Sequence, residues 1–166
     1  MAAPLKNLSE IHLASIPDAG GMKIGIVVSD YNSVITHALL ERCIHTLLLA
    51  GVKEKDVHAI HVPGAFELPA GAQMLDASGK LDAIICLGCV IKGETKHNEY
   101  INHAVAIGIT QLSLQIAKPV IYGVLTPNNL KQAKARAGGK HGNKGVEAAV
   151  TAIKMVALKR ELKPEN

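Results

Sequence analysis

Four short apolar runs alternate with segments of helical periodicity, and this alternation limits the possible folds more than any other feature of the sequence. The runs are rich in β-branched residues and occupy residues 23–28, 57–62, 81–90 and 120–125. The first, third and fourth runs are apolar almost throughout, which is typical of strands buried on both faces, as in parallel sheets. Right-handed crossovers through the intervening helices leave few other arrangements. We therefore predict a three-layer α/β/α fold around a four-stranded parallel sheet, of the flavodoxin-like type.

The predicted helices have recognisable start signals. Asn32 or Ser33 can cap the first helix, because short polar side chains accept hydrogen bonds from free helix amides. Thr126 can cap a later helix that has Pro127 at its first position, where a missing N–H does no harm. The predicted helices follow the runs at about residues 35–48, 66–77, 97–117, from 127 and after the glycines at 138–139.

Length and apolar content indicate a single domain and no membrane association. The 166 residues suit one core, which we place at residues 22–162, after a flexible lead-in at residues 1–21 that ends in Gly20 and Gly21. No apolar run is long enough to span a membrane, and the first residues lack the apolar core of a signal peptide. We therefore expect a cytoplasmic protein.

The charge balance is mildly basic and favours a small anionic substrate over nucleic acid. The net charge is +4, and part of it comes from a lysine-rich stretch at residues 131–163. Recognition of single-stranded nucleic acid needs stacking rings among the cations, and this stretch contains no aromatic residue. We therefore expect no nucleic-acid partner.

The cysteines and histidines give no sign of a metal site or a disulfide framework. The chain has three cysteines, an odd number, and two of them form the C-x-x-C string of Cys86 and Cys89. That string lies inside the third apolar run, where residues three apart face opposite sides of a strand, so both are expected to pack in the core. The eight histidines show no spacing typical of metal ligands. We expect no metal.

The scarce aromatic residues suggest one ligand crevice. The chain has three tyrosines, one phenylalanine and no tryptophan. Tyr31 and Phe66 follow the first two strands and Tyr122 lies in the fourth, so the three can line one crevice at the carboxyl edge of the sheet, as a wall for a flat heterocycle. Taken singly, each of them is better explained by packing.

The segment after the third strand combines an anion site with a candidate proton-transfer group. The amides of Glu94 and Thr95 lie close to the start of the long helix, where free amides and the helix dipole attract anions. His97 at the same place is the best general acid or base of the chain, because its pKa lies near neutrality. The alternative is an ordinary surface histidine.

A basic, glycine-rich joint precedes the last helix. Its sequence is RAGGKHGNKG at residues 136–145, and Arg136 offers the planar fork that grips phosphate. It is not a phosphate loop of the Walker type, because it follows a helix rather than a strand. The alternatives are a solvated loop and, for Lys144 with Glu147, a surface ion pair.

In the order and spacing of these segments, the chain resembles the lumazine synthase family from about residue 22 to residue 162. The stretches that carry the resemblance are YN (31–32), VPGAFELP (62–69), GCVIKGETKH (88–97), YGVLT (122–126) and RAGGKHGNKG (136–145). Each stretch is short, but five of them in the order of the family make a specific match.

The resemblance implies a cofactor-free condensation. The substrates would be 5-amino-6-(D-ribitylamino)uracil and 3,4-dihydroxy-2-butanone 4-phosphate, and the products 6,7-dimethyl-8-ribityllumazine, water and phosphate, in the penultimate step of riboflavin biosynthesis. By this resemblance His97 moves protons and Tyr31 stacks on the pyrimidine ring. The remaining implied contacts are Ala65, Phe66 and Glu67 with the ribityl chain, Cys89, Val90 and Ile91 with the uracil, Tyr122 with the ring from a neighbouring subunit, and Glu94, Thr95 and Arg136 with the phosphate.

The resemblance also implies a homopentamer with active sites between subunits, and in some members a hollow icosahedral shell of pentamers. The glycine-rich joint has no extra residues, and we expect this to permit the shell. Family members usually have an aromatic residue at the position of Asn98 and Phe or Trp at that of Tyr31, and many have Ser at that of Ala65 and Thr at that of Gly139. Two alternatives stay open: a family-like protein that binds riboflavin or a lumazine with little turnover, and a flavodoxin-like FMN carrier.

Overall fold

In a computed structural model, which describes residue 7 and residues 9–163, the four apolar runs form one parallel sheet. The strands are β1 (Ile24–Ser29), β2 (Val57–Val62), β3 (Ala83–Cys89) and β4 (Val120–Leu125), in the order β2-β1-β3-β4. In register, Val28 of β1 pairs with His61 of β2 and with Leu87 of β3. This is the strand order of the flavodoxin-like type, and the predicted fold class is confirmed.

Helices cover both faces of the sheet. They are α1 (Ser33–Leu49), α2 (Leu68–Ser78), α3 (His97–Ile116), a short α4 (Leu130–Ala135) and α5 (Lys144–Glu161), and a 3-10 turn, Ala65–Glu67, precedes α2. Successive strand residues face opposite layers. Ile26 of β1 belongs to the core that includes Leu39 of α1 and Ile153 of α5, whereas Val27 packs in the core of α2 and α3.

Cys86 and Cys89 lie on opposite faces of β3, as predicted. Cys86 belongs to the core of α2 and α3, and Cys89 belongs to the core of α1 and α5. Both thiols are free and buried, and Cys43 of α1 is the third free, buried cysteine. Burial raises the pKa of Cys89 to about 11 and also raises the pKa of Cys86. These two thiols are therefore neutral packing groups at pH 7.

The predicted start of the fourth helix is wrong. We predicted Thr126 as its cap and Pro127 as its first residue, but α4 begins at Leu130, and the side chain of Asn129 caps it by accepting a 2.9 Å hydrogen bond from the amide of Gln132. The reason is that residues 126–127 continue beside the end of β3. The carbonyl of Pro127 accepts a hydrogen bond from the amide of Lys92 at 2.9 Å, which holds this segment out of the helix.

Two small features lie outside the predicted elements. The glycine-rich joint contains a two-stranded antiparallel hairpin, β5 (Ala137–Gly139) with β6 (Gly142–Asn143). Within the lead-in, Ala19 is fully buried, and the hydroxyl of Ser9 donates to the carbonyl of Asn143 at 3.0 Å. The single domain at residues 22–162 and the flexibility of residues 1–21, which lie partly outside the described residues, stay predictions. Among the described residues no helix is long and apolar enough to cross a membrane.

Candidate functional site

A cleft opens at the carboxyl edge of the sheet, where β1 and β3 lie side by side and the strand order reverses. Ligands of open α/β sheets bind at such a point, because the loops that follow the two strands diverge there. The cleft has a volume of about 560 Å³, and we call it the aromatic cleft. Its lining residues are Tyr31, Asn32, Gly64, Ala65, Phe66, Glu67, Cys89, Val90, Ile91, His97, Tyr100 and Ile101. It therefore brings together eight of the predicted site residues: Tyr31, Ala65, Phe66, Glu67, Cys89, Val90, Ile91 and His97.

Three aromatic side chains of the cleft are largely open to solvent in one chain. The exposed fractions are 66% for Tyr31, 58% for Phe66 and 72% for Tyr100. Of the three rings predicted at one crevice, Tyr31 and Phe66 line the cleft of one chain, whereas Tyr122 does not and Tyr100 is the third ring there. Rings left this exposed at a concave site are typical of a surface that a ligand or another chain covers.

The loop after β2 holds Tyr31 and Glu67 by its backbone. A Cβ atom at Gly64 would lie 2.8 Å from the ring of Tyr31, so only glycine lets the ring lie against this turn. The amide of Gly64 donates to the carboxylate of Glu67 at 2.9 Å. Gly64 therefore leaves room for the ring of Tyr31 and holds the carboxylate of Glu67 at the cleft.

Asn32 ties two edges of the cleft together, a role that the sequence did not reveal. We predicted Asn32 or Ser33 as a cap of α1, but no side-chain cap bond forms there, and Asn32 takes a left-handed conformation with φ 60°. Its side-chain amide instead donates to the carbonyl of Cys89 at 2.9 Å. The left-handed backbone, which Asn tolerates better than most residues, turns the side chain from its own helix toward β3.

His97 is the first residue of α3 and lies at the rim of the aromatic cleft. Glu94 and Thr95, the predicted anion contacts, are exposed in the bend before α3 and are not lining residues of the cleft. The Thr95 hydroxyl accepts a 3.3 Å hydrogen bond from the amide of His97. Within the described part of the chain, the backbone amides of Glu94 and Thr95 donate no hydrogen bond, so both are available to an anion.

A second cleft, of about 680 Å³, lies at the end of β4 and is separate from the first. We call it the basic cleft, because Lys131, Arg136, Lys140, His141 and Lys144 are among its lining residues. The two clefts have no lining residue in common. Within one chain, the predicted phosphate contact Arg136 is therefore not brought to His97.

Glu147 holds the guanidinium of Arg136 in place. The Glu147 carboxylate is 2.8 Å from Arg136 Nη1 and 3.2 Å from Lys144 Nζ, and Arg136 also donates to the carbonyl of His141 at 2.6 Å. Burial by itself would raise the pKa of Glu147, but the hydrogen bond from Arg136 and the charge of Lys144 outweigh it and lower the pKa. Glu147 is therefore a buried carboxylate that orients two cations, and not the surface ion-pair partner considered from the sequence.

Tyr122 lies in neither cleft of its own chain. It is half-buried in the middle of β4, opposite Cys86 in register, and packs against the core of α2 and α3. Burial raises the pKa of its phenol. Any contact of Tyr122 with a ring in the aromatic cleft therefore has to come from a second copy, as the resemblance implies.

Beside the aromatic cleft, three side chains from separate elements meet. The carboxylate of Asp30, next to Tyr31, lies 2.8 Å from His61 Nδ1 and 3.3 Å from His37 Nε2. The hydrogen bonds from His61 and His37 lower the pKa of Asp30. Sequence spacing missed this group, because its members come from a loop, a helix and a strand.

The fold and the cleft define a flavodoxin-like α/β protein with a candidate ligand site at the reversal of strand order. The family described as 6,7-dimethyl-8-ribityllumazine synthase matches residues 21–160. The chain belongs to this family, as the sequence resemblance indicated. Neither alternative, the binding protein or the FMN carrier, is favoured by this match.

Curated relatives bearing the name 6,7-dimethyl-8-ribityllumazine synthase align over almost the whole chain. The protein from Cytophaga hutchinsonii is 50% identical over 157 residues, which are 95% of this chain and 98% of the relative. The protein from Parabacteroides distasonis is 50% identical over 94% of this chain and 98% of its own. That from Phocaeicola vulgatus is 47% identical over 98% of this chain and 96% of its own.

Proposed function

We propose that the protein is a transferase that forms 6,7-dimethyl-8-ribityllumazine from 5-amino-6-(D-ribitylamino)uracil and 3,4-dihydroxy-2-butanone 4-phosphate, in riboflavin biosynthesis. The observation that carries the proposal is the aromatic cleft at the strand reversal, with exposed rings, a histidine at its rim and free amides beside it. Family membership and relatives of this name at about half identity support the same reaction.

The residues of the aromatic cleft suit the pyrimidine substrate. Tyr31 offers a ring face for stacking, and the backbone of Cys89, Val90 and Ile91 offers hydrogen-bonding groups to the uracil. We assign Ala65, Phe66 and Glu67, which line the same cleft, to contacts with the ribityl chain. Because the Glu67 carboxylate is already held by the amide of Gly64, it accepts ribityl hydroxyl groups without a further ordering cost.

The reaction needs positioning more than it needs a strong catalyst. The 5-amino group of the pyrimidine attacks the ketone carbonyl, and a first water leaves to give an imine. Elimination of phosphate leaves an enol that becomes a second carbonyl, the ribitylamino nitrogen attacks this carbonyl, and loss of a second water completes the ring. An amine is already nucleophilic and phosphate already leaves, so holding both substrates in register supplies much of the acceleration. His97 accepts and returns the protons of imine formation and ring closure, and no cofactor is required.

The phosphate is placed between two chains in our proposal. The amides of Glu94 and Thr95 lie beside the aromatic cleft, whereas Arg136 and Lys144 lie in the basic cleft of the same chain. A second copy can add its basic cleft and Tyr122 to the aromatic cleft of the first. Arg136 then stabilises the negative charge of the departing phosphate.

The direct test is to mix the purified protein with the two substrates and follow lumazine fluorescence and phosphate release. We expect equal amounts of both products. Binding of the pyrimidine without turnover would contradict the proposed reaction.

Complementation tests the shared site. Tyr31→Ala damages the aromatic cleft and Arg136→Ala the basic cleft, so each variant alone has low activity when both substrates are kept below their KM values. When the two are coexpressed in equal amounts, about one quarter of the interfaces of a randomly mixed ring combine two intact clefts, and activity should recover to about that fraction of wild type. A mixture no more active than either variant alone would show that each active site uses the two clefts of the same chain, and would contradict the shared site.

Assembly and location complete the proposal. The exposed rings and apolar side chains around the cleft suit a homopentamer, which sedimentation in phosphate buffer can measure, and a much larger particle would indicate the icosahedral shell. A stable monomer would contradict both. Three free, buried cysteines suit the reducing cytoplasm, and fractionation of cells tests that location.

A further inference from the structure

The group formed by Asp30, His37 and His61 has the donor atoms of a metal site. Asp30 follows β1, His37 lies in the first turns of α1, and His61 lies at the end of β2. Their three donor atoms, Oδ1, Nε2 and Nδ1, lie within 4.8 Å of one another. The two imidazole rings stand nearly perpendicular, at 89°, with their centroids 5.5 Å apart. No part of the proposed reaction uses this group.

Two imidazoles and one carboxylate are a common ligand set for zinc and neighbouring divalent transition ions. Ligands at about 2.0 to 2.1 Å from such an ion lie about 3.4 Å apart in a tetrahedron and about 2.9 Å apart at octahedral right angles. The observed separations from the Asp30 oxygen are 2.8 Å to His61 and 3.3 Å to His37. The two imidazole nitrogens lie within 4.8 Å of each other, so side-chain rotations that bring this separation to about 3 Å place all three donors around one ion.

We propose that Asp30, His37 and His61 form a surface site for a divalent transition ion of the zinc class. Asp30 Oδ1, His37 Nε2 and His61 Nδ1 are its ligands, and water fills the remaining positions. The ion takes the place of the ring N–H protons that now join the two imidazoles to the carboxylate. This site is distinct from the proposed reaction, which needs no metal.

The backbone holds the three ligands in place before any ion arrives. The amide of Asp30 donates to the carbonyls of Val62 at 2.9 Å and Pro63 at 3.1 Å, and His61 is paired with β1 in the sheet. His37 belongs to a 17-residue helix. Because each side chain is about half exposed, at 48% to 50%, an ion can enter directly from solvent. Rigid ligands lose little conformational entropy on binding.

The position of the site predicts a mechanical effect. Tyr31 follows Asp30 directly, and its amide donates to the carbonyl of Pro63 at 2.9 Å. An ion bound to Asp30, His37 and His61 would therefore cross-link the loop that carries Tyr31 to both α1 and β2. We expect it to stabilise this rim of the aromatic cleft against local opening.

Zinc chloride titration of the untagged, full-length, chelator-treated protein tests the proposal. Calorimetry should show one zinc ion per chain, and cobalt chloride should give the visible absorption of nitrogen- and oxygen-bound Co²⁺. His61→Gln and His37→Gln should each weaken binding at least about tenfold, since even the loss of an outer-shell partner costs about that much. His58→Gln is the matched control, because His58 is exposed on the same strand but faces the opposite side.

Thermal unfolding supplies a second readout. Zinc should raise the Tm of wild type and of His58→Gln, but not that of the double variant His37→Gln/His61→Gln. If either histidine variant fails to fold, Asp30→Asn replaces it in the same titration. Zinc binding that the double variant or Asp30→Asn leaves unchanged, or an absence of binding to wild type at millimolar zinc, would overturn the proposal.

Discussion

The aromatic cleft and the basic cleft lie along the same edge of the sheet but are built in different ways. Three loops and the start of α3 form the aromatic cleft, so its walls come from segments far apart in the chain. The basic cleft is formed by one stretch, from Val124 to Lys144. The aromatic cleft therefore depends on the register of three strands, whereas the basic cleft is largely a local structure.

The two clefts also differ in which of their groups already have a hydrogen-bond or ion-pair partner. The rings of the aromatic cleft are exposed, and the amides of Glu94 and Thr95 beside it donate no hydrogen bond within the described residues, whereas in the basic cleft Arg136 is already paired with the buried Glu147. A flat ring is recognised by shape and stacking, which need an open wall. An anion is recognised by a fork held at a fixed angle, which needs an internal counter-charge. In our proposal the side chains of each cleft bind one substrate. The predictions for Arg136 and Tyr31 test this division, and those for His97 and Glu147 test the chemistry and the ion pair.

The largest effect is expected at His97. His97→Ala should lower kcat by about 10- to 1,000-fold and leave both KM values nearly unchanged, because a proton-transfer group acts mainly in the transition state. Steady-state kinetics with each substrate in turn measure this. His103→Ala is the control, since His103 is exposed on the same helix and does not line the cleft. Wild-type kcat in His97→Ala would remove this residue from the mechanism.

The next effect belongs to the basic cleft. Arg136→Ala should raise the KM for the phosphorylated ketone by about 10- to 100-fold, the loss expected for a charge-assisted hydrogen bond. The KM for the pyrimidine should change little. Arg136→Lys should recover only part of the loss, since an ammonium cannot reproduce the fork.

The control for net charge is Lys154→Ala, since Lys154 is exposed on α5 outside both clefts. Equal changes in the two KM values of Arg136→Ala would contradict the division between the clefts.

Tyr31 should give the opposite pattern. Tyr31→Ala should weaken binding of the pyrimidine about tenfold through the loss of stacking, with little change in the KM for the ketone. Tyr31→Phe keeps the ring and is the matched control, so it should bind almost as wild type. Fluorescence titration with the pyrimidine alone measures this. A loss in Tyr31→Phe as large as that in Tyr31→Ala would assign the effect to the hydroxyl group.

The smallest effect concerns stability at Glu147. Its pKa in the folded protein lies below the ordinary value of 4.5, so ionised Glu147 stabilises the fold above that value, and this contribution is lost as the pH falls through the folded pKa. Glu147→Gln should therefore lower the free energy of unfolding by about 1 kcal/mol at pH 7, with a difference that shrinks in acid.

Urea unfolding at several pH values and one chain concentration measures this difference. Glu41→Gln, at an exposed position of α1, is the control and should differ little from wild type at any pH. A Glu147→Gln deficit that persists unchanged in acid would indicate a packing defect instead of a lost ion pair.

The parts of the fold that depend on periodicity could be predicted, and the parts that depend on a single side chain could not. Strands β2 and β4 have the predicted limits. For β4 the reason is that a buried strand needs a continuous apolar run, whereas β2 is a partly exposed edge strand that contains two histidines. The start of α4 was missed because Thr126 and Pro127 match a helix start locally, while a hydrogen bond from Lys92 holds Pro127 beside β3. No local pattern contains that contact.

The residues of the candidate site likewise include some that the sequence could place and some that it could not. Residues directly after strands, such as Tyr31 and Phe66, could be placed in one cleft, because parallel strands share a carboxyl edge. The bridge from Asn32 to Cys89 and the meeting of His37 with His61 depend on side-chain direction in three dimensions. The separation of Arg136 from His97 could not be predicted either, because no sequence pattern shows that the chain holds them in different clefts.

The buried cysteines make it possible to measure, by the rate of thiol labelling, how the layers of the protein open. Cys43, Cys86 and Cys89 are distributed over both faces of the sheet, and none is exposed. Because Cys89 lines the aromatic cleft, a thiol reagent can approach it from that side, whereas the reagent reaches Cys43 and Cys86 only after the surrounding helices separate. The labelling rate of Cys86 therefore reports on the layer of α2 and α3, and that of Cys43 reports on the layer of α1 and α5. Mass spectrometry of partly labelled protein would therefore show which layer separates first, without any engineered probe.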